Sequence, residues 1–250
     1  SSTSRGLGDV YKRQAVNFVT NQKYEGAGTI EYIYDIDNKK FYFLEMNTRI
    51  QVEHPVTEAV TNFDLVAMQI KFALNMSIDT IEQSKINKSG HAIECRLYAE
   101  DPTKNFLPSP GKITKLKIPN TGLHNIRLDI GVDEGDEISF YYDPMIAKII
   151  SKGATRTECI NNMIQYLNEL ELEGINTNKS FLISVLQNES FENAIYNTKF
   201  IENNLSLFTE KKGNTKKVEQ DISTKKDVVQ KYTDKDVAAF KKITAESQKD

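Results

Sequence analysis

Two short segments rich in aromatic and β-branched residues constrain the fold of this chain most strongly. Residues Thr29–Tyr34 and Lys40–Asn47 have the composition of β-strands, and the residues between them, Asp35–Lys39, have the composition of a turn. Two strands joined by so short a connection pair antiparallel. The pattern therefore predicts a β-hairpin.

Helices are expected on the C-terminal side of this hairpin. Pro55 suits the first turn of a helix, because a residue there needs no backbone N–H for helical hydrogen bonds. Asp64 can cap the apolar run that ends near Leu74. Residues Ser77–Gly90 are polar and weakly patterned, and we place a domain boundary at their end.

The second half of the chain changes to short strands and helices. Lys112–Ile118 alternates polar and apolar residues as a half-buried strand does, and Tyr142–Ile150 is a further strand candidate. Thr155-Arg-Thr-Glu158 has the spacing of a capping box, which predicts the start of a helix. The apolar residues of this helix that recur at helical spacing, and are expected in the core, are Ile160, Met163, Ile164, Leu167 and Leu170.

Another helix is predicted over Lys179–Leu186, with Thr177 or Asn178 as its cap. Beyond Leu207 the composition becomes rich in Lys, Asp and Thr. We interpret this end of the chain as a flexible linker with one marginal helix around Val237–Ile243.

The net charge is near neutral, but its distribution is uneven. There are 32 Lys and Arg against 35 Asp and Glu, a net charge of −3, which argues against non-specific nucleic-acid binding. Residues Lys211–Asp250 hold 11 Lys and 7 acidic residues, so only this tail is basic. A segment that docks a partner or an anionic surface is the functional alternative to a linker.

Cysteine usage and hydropathy predict a cytoplasmic protein without a membrane span. Cys95 and Cys159 are far apart in sequence, which excludes metal-ligand spacing and favours buried, unreactive thiols in a reducing compartment. The longest apolar stretch, Asp64–Leu74, carries charges and is shorter than the roughly 18 to 20 residues that a span needs.

The most informative segment is Glu45–His54, because polar and apolar residues alternate along it. In an extended chain successive side chains point to opposite faces. One face would carry Glu45, Asn47, Arg49, Gln51 and Glu53. The other, which would anchor the segment in the core, would carry Met46, Thr48, Ile50 and Val52.

The polar face combines groups that suit phosphoryl transfer to a small anion. A carboxylate and an amide two residues apart, with Glu31 on the preceding strand, offer hard oxygen ligands for Mg²⁺. Arg49 and Gln51 offer a guanidinium fork and an amide to a planar oxyanion, on which Glu53 could act as a base. A solvated strand face without a function is the alternative interpretation.

Six motifs follow one another along the chain, and their order and spacing resemble a known family. They are GAGTIE (26–31), EMNTRIQVEHPVTE (45–58), HAIECR (91–96), AEDP (99–102), FLPSPG (106–111) and YYDPMI (141–146). Together they resemble biotin carboxylase, the ATP-grasp subunit of biotin-dependent carboxylases. The resemblance runs from about Ala15 to Leu205, and the 45–58 string is its most specific part.

The resemblance implies an α+β fold with two domains. The C-terminal lobe of an ATP-grasp domain, an antiparallel sheet with helices, would occupy residues 15–89. The biotin carboxylase C-terminal α/β domain would occupy residues 90–207, and a basic flexible tail residues 208–250. Residues 1–14 do not resemble the family, and we interpret them as a non-native lead-in. The N-terminal domain and glycine-rich ATP lid of the family have no counterpart, so we expect an inactive C-terminal fragment.

The resemblance also implies a reaction. Mg-ATP would activate bicarbonate to carboxyphosphate, which carboxylates a ureido nitrogen of carrier-bound biotin. Glu31, Glu45 and Asn47 would face the Mg²⁺ (or Mn²⁺) ions. Glu31, Ile33 and Glu45 would face ATP.

Three residues would carry the catalytic roles by the same resemblance. Glu53 would deprotonate bicarbonate, and Arg49 and Arg96 would stabilise negative charge, Arg96 on the biotin oxygen as well. The bicarbonate ion would be held by Arg49, Gln51, the backbone of Val52, and Arg96. A surface arginine is the alternative for Arg96 alone, and His54 is expected to be structural.

The resemblance implies partners as well. A biotin carboxyl carrier protein would be a separate subunit, because no Met-Lys-Met motif is found, and a carboxyltransferase subunit would choose the acyl substrate. We expect a homodimer for the longer protein, without nucleic acid or membrane. Acetyl-, propionyl- and pyruvate-type systems all stay open. Another ATP-grasp ligase, of the carbamoyl-phosphate or carboxylate-amine type, and a non-catalytic dimerisation module are the alternative functions.

Overall fold

The computed structural model describes residues 2–78 and 85–209, which lie within one compact unit, residues 1–209. The helices are α1 (Ser2–Asn21), α2 (His54–Thr61), α3 (Leu65–Ala73), α4 (Arg156–Glu169), α5 (Lys179–Leu186), α6 (Glu189–Glu192) and α7 (Phe200–Thr209). Strands β1 to β5 are Thr29–Asp35, Lys40–Asn47, His91–Tyr98, Glu100–Asp101 and Leu107–Pro108. Strands β6 to β11 are Gly111–Lys112, Lys115–Lys117, Ile126–Ile130, Glu137–Ile138, Met145–Gly153 and Glu171–Glu173.

The predicted hairpin is confirmed. Strands β1 and β2 pair antiparallel, from Thr29 opposite Asn47 to Asp35 opposite Lys40, with a bulge after Glu31. The aromatic residues that identified the strands pack across the pair, as the stacked rings of Tyr34 and Phe41 illustrate with centroids 4.6 Å apart. The aromatic pairs therefore hold the two strands in register up to the hairpin end that carries Thr29 and Asn47.

Helices α2 and α3 begin where the sequence predicts. Pro55 is buried in the first turn of α2, and Asp64 caps α3 by accepting a hydrogen bond of 2.7 Å from the Ala67 N–H. Helix α2 packs against strands β3 and β10 of the second half of the chain. The segment Glu45–His54 therefore runs from the hairpin to this sheet.

A three-stranded antiparallel sheet, in the order β3-β10-β8, forms the base of the candidate site. Its side chains alternate between two faces. On one face the buried residues of β3 and β10, such as Cys95 opposite Ile149, pack against α4 in the core. The other face, towards α2, carries charged residues, including Arg96 opposite Lys148.

Helix α4 confirms the two predictions made for it, the capping residues at its N-terminus and the apolar stripe along its length. The Thr155 side chain accepts from the Glu158 N–H at 3.2 Å, and Glu158 Oε2 accepts from the Ala154 N–H at 2.7 Å. Of the predicted stripe, four residues are buried and Ile164 packs partly buried against the same core: Ile160, Met163, Leu167 and Leu170. Both cysteines are buried, as predicted.

The structure differs from the sequence prediction at two strands. The predicted strand Lys112–Ile118 is broken at the buried Ile113, because β6 pairs with β9 whereas β7 pairs with β11. The predicted strand over Tyr142–Ile150 begins later and ends later, as β10 (Met145–Gly153).

Three helices were not predicted. They are α1, α6 and α7. Helix α1 covers most of residues 1–14, for which the sequence shows no periodicity. In its second half, Phe18 meets the Phe43 ring with centroids 5.4 Å apart. The predicted terminal helix around Val237–Ile243 lies outside the described residues.

No helix in the described ranges combines the length and the apolar character that crossing a membrane requires. The division of the described chain into domains near residue 90 stays a prediction.

The start of α5 is joined to the end of β3 by one buried side chain. Asn178 Oδ1 accepts from the Tyr98 N–H at 3.0 Å, and its Nδ2 donates to the Arg96 carbonyl at 3.1 Å. Asn178 is only 4% exposed. Its side chain therefore satisfies two backbone groups of the strand that carries Arg96.

Replacing Asn178 by alanine should lower the free energy of unfolding by about 2–3 kcal/mol, because two backbone groups lose their partners at a buried position. Urea denaturation followed by circular dichroism measures this. Asn188→Ala is the control, since Asn188 caps α6 through its own Oδ1 at a half-buried position and its loss should cost about 1 kcal/mol. Equal losses in the two variants would contradict the bridging role of Asn178.

Candidate active site

Two carboxylates face each other at the end of the hairpin. Glu31 on β1 lies directly opposite Glu45 on β2. The Asn47 Nδ2 group donates to Glu31 Oε1 at 2.8 Å and to Glu45 Oε1 at 3.2 Å. Like charges opposite each other destabilise a strand pair, so this arrangement favours a cation or a hydrogen-bond donor between them.

The segment after Asn47 does not continue as one extended strand, which corrects the sequence prediction. Strand β2 ends at Asn47, a turn forms at Val52–Glu53, and α2 begins at His54. The reason is local, since both the backbone N–H of His54 and its Nδ1 lie within hydrogen-bond distance of the Gln51 carbonyl, at 3.2 and 2.8 Å. His54 thus has a structural position, as expected.

The turn nevertheless brings the predicted groups together. Gln51 Nε2 donates to Glu31 Oε1 at 2.9 Å, the same oxygen that receives Asn47. Glu31 therefore joins the predicted metal residues to the predicted anion residues.

Arg49, Gln51 and Glu53 line one cavity of about 440 Å³. Its walls include glycines 26 and 28 and apolar residues of α3 such as Met68. A cavity of this size with a few polar groups is typical of small-molecule sites. The Arg49 guanidinium donates to the Ile50 carbonyl at 3.1 Å within its own segment.

Arg96 reaches this segment from the sheet. Its Nη2 donates to Glu53 Oε2 at 2.6 Å, and its Nε lies 3.8 Å from Glu94 Oε1. The structure therefore places the predicted base and a predicted anion-binding arginine in direct contact, although 43 residues separate them in sequence.

The two other residues predicted for the site are Val52 and Ile33. The Val52 carbonyl accepts a hydrogen bond from Lys148 Nζ at 3.3 Å. Ile33 lies farther along β1, opposite Tyr42, is 44% exposed, and does not line the cavity.

Glu31, Glu45 and Asn47 fit a magnesium ion that shares its coordination with phosphates. Mg²⁺ is usually held by one or two carboxylates together with substrate oxygens. Within residues 2–78 and 85–209, no cluster of three or more His, Cys, Asp or Glu could hold a metal ion without such help. The set offers two carboxylates and one amide, so substrate oxygens would have to complete the coordination.

Glu94 is an acid with a buried side chain next to the site. Its side chain is 4% exposed, and neither of its carboxylate oxygens has a hydrogen-bond partner among the described residues. Burial raises the pKa of the Glu94 carboxyl, and the nearby Lys148 and Arg96 charges only partly oppose this. The ionised Glu94 carboxylate is therefore stabilised by the nearby positive charges of Lys148 and Arg96, without a hydrogen bond from any described residue.

Glu94 and Lys148 were not predicted as site residues. Glu94 stands in the HAIECR motif two residues before Arg96, and a strand assignment places both on one face. Lys148 had no such signal, because its distance from Val52 depends on how α2 packs on the sheet.

Two family profiles match the chain. Residues 94–203 match the biotin carboxylase C-terminal domain, and residues 7–81 match the ATP-binding domain of the carbamoyl-phosphate synthase L chain. Biotin carboxylase 1 of Bacillus subtilis is 50% identical over 179 residues, which are 72% of this chain and 39% of that protein. The chain belongs to the biotin carboxylase family.

Other members of the biotin carboxylase family act in different carboxylases. The human mitochondrial propionyl-CoA carboxylase alpha chain is 43% identical over 202 residues, 80% of this chain and 27% of that protein. The biotin carboxylase domain dimer of Hydrogenobacter thermophilus 2-oxoglutarate carboxylase, solved with MgADP, ADP and bicarbonate, has a TM-score of 0.76 and 35% identity. That match covers 81% of this chain and 44% of the solved chain.

The matches also bear on the extent of the chain. It spans less than half the length of these biotin carboxylase relatives. The ATP-binding match begins at residue 7, within the segment 1–14 for which the sequence predicts a lead-in. The origin of that segment stays a prediction.

Glu94→Gln should raise the melting temperature at pH 8 by about 2–4 °C, the shift that ~1 kcal/mol produces in a chain of this size. The raised pKa means that ionised Glu94 costs the folded state free energy, and glutamine removes the charge. The gain should vanish below the ordinary glutamate pKa of 4.5, where the carboxyl is protonated in both states.

Differential scanning fluorimetry between pH 4 and pH 8 measures the melting temperatures. The exposed Glu137→Gln is the control and should show no such pH-dependent gain. A melting temperature of Glu94→Gln below that of the unchanged chain at pH 8 would contradict the assignment.

Proposed function

We propose that this chain supplies the metal-, bicarbonate- and biotin-facing part of a biotin carboxylase, an ATP-dependent ligase that carboxylates carrier-bound biotin. The observation that carries the proposal is the convergence of Gln51 and Asn47 on Glu31, with Glu53 bound to Arg96 next to it. These hydrogen bonds support a site in which groups suited to bind a cation, bind an anion and accept a proton are neighbours.

The residues of the turn act on bicarbonate. Arg49, Gln51 and the Val52 N–H hold the anion, and Glu53 accepts its proton. A bicarbonate oxygen then attacks the γ-phosphorus of ATP, the bond to the β-phosphate oxygen breaks, and ADP leaves as carboxyphosphate forms. Arg96 then stabilises the negative charge that develops on the ureido oxygen of biotin.

Glu31, Glu45 and Asn47 hold Mg²⁺, or Mn²⁺ in its place. The bound ion neutralises charge on the ATP phosphates. The exposed Ile33 contacts ATP on the adenine side. Asn47 would offer its amide oxygen to the ion, and its Nδ2 group would then no longer donate to Glu31 and Glu45.

The proposed partners are a biotin carboxyl carrier protein, a carboxyltransferase subunit and a second copy of the longer protein. A dimer in the Hydrogenobacter thermophilus structure supports the last of these. An acetyl-CoA carboxylase that serves fatty-acid biosynthesis, in the cytoplasm, is one system among several, because the relatives include propionyl-CoA and pyruvate carboxylases.

A chimera tests the proposed activity without depending on the extent of this chain. The 179 residues that match Bacillus subtilis biotin carboxylase 1 replace their counterparts in that enzyme. The chimera should incorporate labelled bicarbonate into free biotin in an ATP-dependent manner. A folded chimera without this activity would overturn the proposal.

In the same chimera Glu53→Gln should lower kcat by at least about 100-fold, the usual contribution of a general base. The affinity for MgATP should stay within about twofold, because Glu53 does not contact the proposed metal residues. Glu137→Gln is the matched control and should keep full activity. Retained turnover in Glu53→Gln would remove Glu53 from the role of base.

Titration of the 250-residue chain with Mn²⁺ separates the partial site from a non-catalytic assembly module. Paramagnetic broadening of the amide resonances of Glu31, Glu45 and Asn47 is expected at millimolar Mn²⁺, and excess Mg²⁺ should reverse it. Glu45→Gln should weaken the effect, whereas Glu137→Gln should not. Absence of selective broadening at these three residues would favour the assembly module.

A further inference from the structure

The charged face of the β3-β10-β8 sheet is arranged in rows across the strands. Lys148 on the central strand β10 lies between Arg96 on β3 and Asp129 on β8. In the neighbouring row, Ile150 lies between Glu94 and Arg127. Lys148 therefore has a cation, Arg96, on one side and a carboxylate, Asp129, on the other, with the Glu94 carboxylate in the neighbouring row.

Lys148 is held at a fixed position within this face. Its side chain is 14% exposed, and its Nζ lies 3.4 Å from Asp129 Oδ2. Arg127 holds Asp129 through two hydrogen bonds of 2.8 and 3.0 Å. Because Asp129 is itself fixed, the ammonium group of Lys148 has a defined direction, towards the turn before α2.

The same network is tied to helices α2 and α3. Arg127 Nη1 donates to Glu58 Oε2 at 2.6 Å, and the other oxygen of Glu58 accepts from the Leu65 N–H at 2.7 Å. Glu58 is 9% exposed at its side chain. The helices on either side of the cavity are thus joined to the sheet through charged groups.

The second contact of Lys148 is with the turn itself. Its Nζ donates to the Val52 carbonyl at 3.3 Å, and this carbonyl belongs to the peptide unit that joins Val52 to Glu53. The orientation of that peptide unit determines where the Glu53 side chain begins. Arg96, the cross-strand neighbour of Lys148, binds the other end of the same residue, at its carboxylate.

We infer that Lys148 is a positioning residue, which fixes the Val52–Glu53 peptide unit against the sheet so that the anion-binding backbone and the Glu53 carboxylate keep their places. Lys148 does not touch the substrate; it acts through Val52 and, together with Arg96, fixes Glu53 at both ends. The inference rests on the proposed function, in which Val52 and Glu53 contact bicarbonate.

Lys152 provides a matched control. It lies on the same strand and the same face, four residues along, and its Nζ donates to Asn62 Oδ1 at the end of α2 at 3.3 Å. Lys152→Met and Lys148→Met remove the same number of atoms and one hydrogen bond each between β10 and the α2 region. Only Lys148→Met removes the contact with the turn.

The experiment uses the 250-residue chain labelled with ¹⁵N and titrated with sodium bicarbonate. In the unchanged chain, amide resonances of Gln51, Val52 and Glu53 should shift with bicarbonate and saturate. Lys148→Met should weaken the apparent affinity about tenfold, which corresponds to about 1.4 kcal/mol. Lys152→Met should leave it within about twofold, and Lys148→Arg, which keeps a charged donor, should restore most of the loss.

A second readout needs no ligand. The Glu53 amide nitrogen shares a peptide unit with the Val52 carbonyl, so losing the hydrogen bond in Lys148→Met should move the Glu53 ¹⁵N resonance, and Lys152→Met should not move it. If Lys148→Met fails to fold, Lys148→Gln replaces it, because its amide is too short to reach both Val52 and Asp129.

The outcomes are distinguishable. Equal bicarbonate affinity in Lys148→Met and in the unchanged chain, or equal losses in Lys148→Met and Lys152→Met, would overturn the positioning role and leave the proposed function intact. If the unchanged chain shows no saturating shifts at residues 51–53, the proposed bicarbonate site fails, and the inference fails with it.

Discussion

The ion pair between Arg96 and Glu53 connects the two halves of the described chain at the point where the candidate chemistry lies. One partner stands on a strand whose opposite face is buried in the core, and the other stands in a turn that ends the hairpin segment. An exposed ion pair contributes little to stability by itself. Here the buried sheet face fixes Arg96 and the packing of α2 fixes Glu53, so the pair has a defined geometry that a surface pair would lack.

The sheet that carries Arg96 has two faces with different roles. One face packs against α4 with Ile149 and Cys95 in the core, where burial raises the pKa of the Cys95 thiol to about 12 and leaves it unreactive. The other face, towards α2, holds charged side chains that are partly buried. Partial burial of a charge costs desolvation, which the ion pairs Lys148–Asp129 and Arg96–Glu53 partly offset. These pairs also give each charged group a defined direction.

Much of the local structure could be predicted from the sequence, because the signals were local. The hairpin, the cap at Asp64, the stripe on α4 and the bounds of α5 depend on neighbouring residues and were confirmed. The extended face over Glu45–Glu53 was wrong, because alternation of residue types continues through a turn as well as through a strand. The contact of Gln51 with Glu31 and that of Lys148 with Val52 depend on tertiary packing. No spacing in the sequence encodes them.

The pair Glu31 and Glu45 has a consequence for the hairpin itself. Two carboxylates in register across an antiparallel pair repel each other, and the single Asn47 amide group that separates them in this structure carries no full charge. A divalent cation that binds between them relieves this repulsion only when the strands are paired. By linkage, any ion that prefers the paired state must also stabilise it. The end of the hairpin would therefore gain local order when a divalent cation binds there together with the phosphate oxygens that complete its coordination.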